Sequence, residues 1–247
     1  MRNPRTQLSR AATLTAAVGL SLALAACGGG GNDAEKPTAT AAANRLAAGS
    51  SNGLESRPAS EIVATAAQAL KATSSVRYLG RGTEDGTPSS AELRMTADGT
   101  VTGVLDGNGQ RVEILRVAGV AYVRGPSAAG PYPGARTDQW INTGPVGAAD
   151  DDLSINSAAD AILDLKADID GGEDATVEQV TEQRQPAVRV ATKTASLFVA
   201  NVGQPVPLRQ VFNDANDRFE VTFTEYGSPV PAAVPTDAFQ PRTTPTS

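Results

Sequence analysis

The sequence predicts an α+β domain in which two amphipathic helices lie on one face of a long, curling antiparallel sheet. Apolar positions recur at helical spacing over 58–72 and 157–170, and alternate with period two over most of 76–124 and 175–226. Tight-turn signals punctuate both alternating stretches at hairpin intervals. Two helices against about nine antiparallel strands, one before the sheet and one interrupting it, make an α+β chain. A sheet of that size twists too strongly to stay flat.

The chain opens on Arg2, Arg5 and Arg10, followed by an apolar run over 11–26 broken only by Thr13, Thr15 and Ser21. A positive start, a short apolar stretch and small residues at its end make a secretory signal. The run is too short for a lasting span, which needs ~20 apolar residues. It ends in Leu24-Ala25-Ala26-Cys27. That ending resembles the lipobox of bacterial lipoproteins, in which the cysteine is acylated and the chain is cut just before it. Cys27 is the only cysteine, so no intrachain disulfide can form. The expectation is a signal peptide over 1–26 and a chain anchored by lipid on Cys27 at the outer face of the cell membrane.

Losing residues 1–26 removes three arginines and no acid, and takes the net charge from −6 to −9. Such a chain is repelled by nucleic acid and gains little from anionic headgroups. Attachment must come from acyl chains, at ~0.8 kcal/mol per buried CH₂, with two or more needed for stable anchoring. Residues 28–57 are mostly Gly, Ala, Ser, Thr and Asn. They cannot bury enough surface to offset ordering, and read as a tether with a mean reach of about 30 Å. The folded domain is expected over 58–239, with a loose tail at 240–247.

Pro58 suits a helix start, and Ile62, Ala66, Ala69, Leu70 and Thr73 give the first helix an apolar stripe. Residues 76–82 are a first strand. In the next, Ala91, Leu93, Met95 and Ala97 alternate with polar residues up to Asp98-Gly99, a two-residue hairpin signal. Val101, Gly103 and Leu105 form the return strand, 106–109 turns again, and 111–117 pairs with 120–124 around Ala118-Gly119. This is a meander of about five strands. The Gly- and Pro-rich stretch 125–134 is a loop, and 139–142, with Trp140, is a short strand. Ser157 is placed as the cap of the second helix, with Asp160 three residues on. Ala158, Ile162, Leu165 and Ile169 line that helix, and Gly171-Gly172 ends it. Strands follow at 175–184, 187–192, 195–201, 208–212 and 218–226. In the last, Phe219, Val221 and Phe223 alternate with charged and hydroxyl residues, as in a strand with one wet face.

The chain contains no histidine, which excludes Ser-His-Asp triads, Cys-His dyads and histidine metal sites. No Ser-x-x-Lys surrounds Lys71, Lys166 or Lys193. The acid-rich 168–174 lacks calcium-loop spacing and reads as a helix end with solvated acids. Asp150, Asp151 and Asp152 read as a solvated loop, and Asp160, Asp164 and Asp168 as a wet helical stripe. Gly80-x-Gly82 and Gly107-x-Gly109 do not lead from a strand into a helix, as a phosphate loop must, and read as strand ends and turns. The expectation is no catalytic residue, no metal, no cofactor and no enzyme.

Leu197-Phe198-Val199-Ala200-Asn201 with Pro205-Val206-Pro207-Leu208-Arg209 resembles a recurrent stretch of actinobacterial lipoproteins. So do residues 219–226 followed by Gly227-Ser228-Pro229-Val230 and Val234-Pro235. In these features the chain is similar to the LppX/LprAFG lipoproteins, which share the LolA/LolB-like fold. That resemblance implies a strongly curved half-barrel with helices on its concave face and an apolar cavity between them. It also implies carriage of lipids or lipoglycans across the envelope. It supplies no catalytic residue, and maps only the lipidated cysteine, onto Cys27. The chain departs from the pattern in having only ten aromatic residues among 247.

Two structural roles stay open for the apolar strand positions Leu93, Met95, Val101, Ile114, Val123, Leu197, Val199, Phe219, Val221 and Phe223. They either pack as ordinary core or line a cavity, with Ile62, Leu70, Ile162 and Leu165 as its lid and the second helix and 125–134 as its gate. Two functions correspond. One is a monomeric envelope lipoprotein that carries a lipid or other hydrophobic ligand. The other is a ligand-free tethered module that serves an envelope transporter or sensor through 125–136 and its edge strands.

Overall fold

Eleven strands, each antiparallel to its neighbours, form one sheet in a computed structural model that describes residues 50–84, 86–147, 152–213 and 218–241. The strands are β1 (Ser75–Glu84), β2 (Thr87–Thr96), β3 (Val101–Gly107), β4 (Gln110–Val117), β5 (Val120–Arg124), β6 (Ile141–Pro145), β7 (Thr176–Glu182), β8 (Gln185–Ala191), β9 (Ala195–Ala200), β10 (Pro207–Asn213) and β11 (Arg218–Thr224). The helices are α1 (Ala59–Lys71), the single turn α2 (Pro126–Ala129) and α3 (Ile155–Asp170). The chain divides into two units, Met1–Thr38 and Ala39–Ser247, and all described residues belong to the second. The expected signal, Cys27, tether residues 28–49, Asp150, Asp151, the 214–217 turn and residues 242–247 lie outside the described residues.

The strand order is β6-β5-β4-β3-β2-β1-β11-β10-β9-β8-β7. Two meanders, β1 to β6 and β7 to β11, grow outward from a shared seam where β1 pairs with β11, Gly80 opposite Val221. The edges are therefore β6 and β7, which are consecutive in the chain. The segment that joins them must cross a face of the sheet, and α3 lies in that segment. A sheet with helices on one face curls around them, which gives the curved α+β architecture that the sequence implied.

Both helices bury their apolar stripes in one cluster with the inner face of the sheet. Ile62, Val63, Ala66, Ala67 and Leu70 of α1 and Ile155, Ala159, Ile162 and Leu165 of α3 meet Val76, Leu93, Met95, Val101, Val188, Val190, Leu197, Val199, Val221 and Phe223. Lys71 Nζ donates to Asp160 Oδ1 at 2.7 Å and links the two helices at the surface. The cap of α3 is Ser154, whose Oγ accepts from Ser157 N at 3.0 Å. This moves the cap three residues ahead of the expected Ser157 and makes Ser157 a first-turn residue. The buried stripe of α1 includes Val63 and Ala67, while Ala69 and Thr73 stay half-buried.

The outer face carries a second cluster at the β8–β10 end, made of Ala187, Phe198, Ala200, Leu208 and Val211. All six residues of β9 are buried, because both faces of the sheet are covered there. The β7–β8 turn reaches across: Gln183 Nε2 donates to Leu208 O at 2.8 Å, and Arg209 meets Glu182 at 2.7 Å. The Arg209 guanidinium stacks over the Phe198 ring, 4.1 Å from its centroid.

Three segments depart from the sequence reading. The expected tether ends earlier than 57. Asn52 N donates to Asn201 O at 2.9 Å, a short 3-10 turn follows (Leu54–Ser56), and Leu54 is buried in the main cluster. These docking groups are distant in the chain, and composition does not reveal them. The short strand near Trp140 begins at Ile141. It is flanked by the C-terminal segment, where Phe239 N donates to Trp140 O at 2.7 Å and Asn142 N to Phe239 O at 2.9 Å. Gly80 and Gly82 sit inside β1 rather than at a strand end. Every residue of both clusters lies within Ala39–Ser247, so this unit has a complete core of its own.

Candidate functional site

A half-open cavity of about 220 Å³ lies between the first two turns of α3 and the seam of the sheet. Its floor is Tyr78, Ala91, Leu93 and Met95 on β1 and β2, and Gln210, Phe212, Phe219, Val221 and Phe223 on β10 and β11. Its roof is Asp152, Leu153, Ser154, Ser157, Ala158 and Ala161. The roof joins the segment that enters α3 to a second stripe of the helix, Ser157, Ala158 and Ala161, turned away from the Ala159–Ile162–Leu165 stripe that fills the core. It carries serine and alanine where leucine would fill the gap, so the helix stands off the aromatic floor.

Glycine makes the floor possible. A Cβ on Gly80 would lie 2.9 Å from the Tyr78 ring and 3.0 Å from the Phe219 ring, and one on Gly82 would lie 2.5 Å from Phe219. Inward curvature crowds side chains on the inner face, and glycine in a strand marks such close approach. The Tyr78 ring meets Phe223 edge-on, with centroids 5.8 Å apart and planes at 83°. The helix is held over this floor by Gln210, which is 1% exposed and whose Nε2 donates to Ala161 O at 3.2 Å. Ser157 Oγ donates to Asp152 O at 2.9 Å and fixes the segment that leads into the roof.

Burial pushes the Tyr78 phenol up to about 12. The folded protein therefore holds Tyr78 neutral, and its contribution to stability is whole below the ordinary tyrosine value. It is lost as the pH rises from about 10 to about 12, a difference of about 2–3 kcal/mol. Urea unfolding across that window is expected to show this loss, and Tyr78→Phe a smaller one. Equal losses in the two proteins would contradict the assignment to Tyr78.

Among the residues expected to line a cavity, the structure brings Leu93, Met95, Phe219, Val221 and Phe223 together on its floor. Ile62, Leu70, Val101, Ile162, Leu165, Leu197 and Val199 are packed in the main cluster, away from the lining. Ile114 and Val123 pair with each other on β4 and β5 and line neither the cavity nor that cluster. Sequence reasoning missed Tyr78, Gln210 and Phe212, together with the Ser157–Ala158–Ala161 stripe. The available signal was that stripe, small residues at helical spacing beside a larger apolar one.

No protein-family model matches the chain, and no curated protein matches it in sequence. Among solved structures, LprF from Mycobacterium bovis aligns with a TM-score of 0.50 at 14% identity, over 72% of this chain and 96% of LprF. The fold is that of LprF. At 14% identity the likeness to LprF is one of architecture, and it includes the curved antiparallel sheet with helices on one face. The Mycobacterium tuberculosis lipoprotein LppX aligns at 14% identity over 71% of this chain and 98% of its own, with a TM-score of 0.49. The expected α+β class, a curved antiparallel sheet with helices on one face, is thus the observed one.

Proposed function

We propose that the chain is an envelope lipoprotein, anchored through acylated Cys27, that binds or carries a hydrophobic ligand in the cavity beneath α3. The observation that carries this reading is the cavity itself, with a floor apolar but for Gln210 and the Tyr78 hydroxyl, roofed by small residues of one helix and by Asp152 and Leu153 of the segment before it. The cavity is half-open, so its apolar floor meets water when nothing fills it, and an occupant that covers that surface contributes about 25 cal/mol per Å² of apolar area removed from water. Binding proceeds by burial of apolar chain, at ~0.8 kcal/mol per CH₂, with no bond made or broken.

The test is to purify Ala39–Ser247 without detergent, extract it with organic solvent and analyse the extract by mass spectrometry. A reproducible apolar molecule at near-stoichiometric yield is expected. Clean extracts, together with no uptake of a fluorescent fatty acid, would reject the reading. For the anchor, the full chain is expected in the membrane fraction with acylated Cys27. Cys27→Ser should lose all fatty-acid label, and retention of the label would place the acylation elsewhere.

A further inference from the structure

The cavity is lined by a tyrosine whose hydroxyl bonds to no described residue. Tyr78 is one of two tyrosines whose phenols burial raises. The other, Tyr226, satisfies its hydroxyl by donating to Pro207 O. Tyr78 has no hydrogen-bond partner among the described residues, and desolvation is the sole cause of its raised value. Its ring is fixed: Phe223 meets it edge-on, and the absent Cβ of Gly80 leaves the space it occupies, with the hydroxyl 3.4 Å from that Cβ position. The hydroxyl therefore sits over Gly80, in the row that runs from Gly80 through Val221 to Gln210, on the floor of the cavity. Tyr78 is half-buried and its hydroxyl is not fully enclosed, so it opens on the cavity, and Tyr78 stays protonated, hence a donor, at neutral pH.

Size narrows the ligand further. A cavity of ~150 Å³ holds benzene, so 220 Å³ takes roughly nine heavy atoms by the same ratio. It is smaller than the ~300–1,000 Å³ of drug-sized pockets. One short or partly inserted chain fits, and two chains side by side do not.

Building on the proposed ligand-binding reading, we infer that the ligand is a single-chain amphiphile whose ester or carboxyl carbonyl accepts a hydrogen bond from Tyr78. The chain lies against Phe219, Val221 and Phe223, and the far end leaves beside Ser154. The neighbouring Gln210 commits one of its two amide N–H groups to Ala161 O, whereas the Tyr78 hydroxyl bonds to no described residue and is the donor assigned to the carbonyl.

The test uses delipidated Ala39–Ser247 and calorimetric titration with two probes, methyl octanoate and 1-methoxyoctane, which share a chain but differ in the carbonyl. The wild-type domain is expected to bind the ester. Tyr78→Phe should weaken the ester by about three- to tenfold, the worth of one net hydrogen bond, and change the ether by less than about twofold. An equal effect on both probes, or no effect on either, would overturn the role of Tyr78 while leaving the carrier reading intact. Binding of neither probe by the wild-type domain would reject both readings. A second comparison addresses chain number: 1-octanoyl lysophosphatidylcholine and dioctanoyl phosphatidylcholine should bind within about twofold. A tenfold preference for two chains would overturn the single-chain assignment. Thermal melts of Tyr78→Phe confirm that the variant is folded, since the substitution removes only an unpaired hydroxyl.

Discussion

Gly103→Ala is expected to destabilise the domain by about 3 kcal/mol or more, the upper end for overpacking. Gly103 faces Leu93 across the β2–β3 pair. A Cβ there would lie 2.0 Å from the Glu92 carbonyl oxygen and 2.8 Å from Leu93 Cα. Both obstacles are backbone, so no rotamer change relieves them, and β3 must peel from β2 to admit one methyl group. Leu93 is also part of the cavity floor, so the damage extends to the site. Gly107→Ala on the same strand is the control: its nearest neighbour would be Ser89 Cβ at 3.7 Å, an ordinary contact, and its effect should stay within about 0.5 kcal/mol. Urea midpoints of the two variants decide the matter. A loss below 1 kcal/mol for Gly103→Ala would mean that the strands part freely there, and that glycine is not what permits the curvature.

Two glycines of β1 show where sequence reading stops. Gly80 and Gly82 read as strand ends because glycine is depleted from strands. What holds them in the middle of β1 is an aromatic residue from the far end of the chain, Phe219 of β11. Local patterns were legible wherever the signal was local. The period of two gave the meanders, and Asn108-Gly109 and Ala118-Gly119 gave tight turns, with positive φ at all four residues. The β7–β8 turn was not legible. It bends at Gln183 and Arg184 with φ of 49° and 63°, a conformation that neither residue advertises. The Gln183 side chain, bonded to Leu208 O on β10, holds it there. The Asp98-Gly99 hairpin was found, but its loop is wider than two residues, since Thr96 and Val101 bound it.

The candidate site was half legible for a related reason. Alternation identifies which strand residues face inward, so Leu93, Met95, Phe219, Val221 and Phe223 were found. It does not say which inward residues meet a helix. Ile62, Leu70, Ile162 and Leu165 were expected as a lid, yet α1 and α3 bury these stripes against each other and the sheet. The roof falls to the smaller residues beside them. Tyr78 was passed over because a polar aromatic at a strand position carries no period signal, and Gln210 because its partner, Ala161 O, lies on another element.

Phe223→Ala tests whether core and cavity are one continuous body. Phe223 is 1% exposed, belongs to the main cluster, and forms part of the cavity floor beside Tyr78. Removing the ring is expected to cost about 3–5 kcal/mol, from lost transfer energy and from the space left behind at ~24 cal/mol per Å³. That space opens onto the existing cavity instead of forming a separate void. A ligand that fills both should restore stability in proportion to its concentration, as RT ln(1 + [L]/Kd). The expected result is a lower melting temperature than wild type without ligand, and a larger rise on adding methyl decanoate than the wild-type domain shows. The ring also braces Tyr78 edge-on, so the variant should lose part of its preference for an ester over an ether of equal length. Leu197→Ala provides the contrast. Leu197 is fully buried in the same cluster but does not line the cavity, so it should lose about 2–5 kcal/mol with no added rescue by ligand. Equal rescue of the two variants would mean that the probe stabilises the fold without entering the cavity.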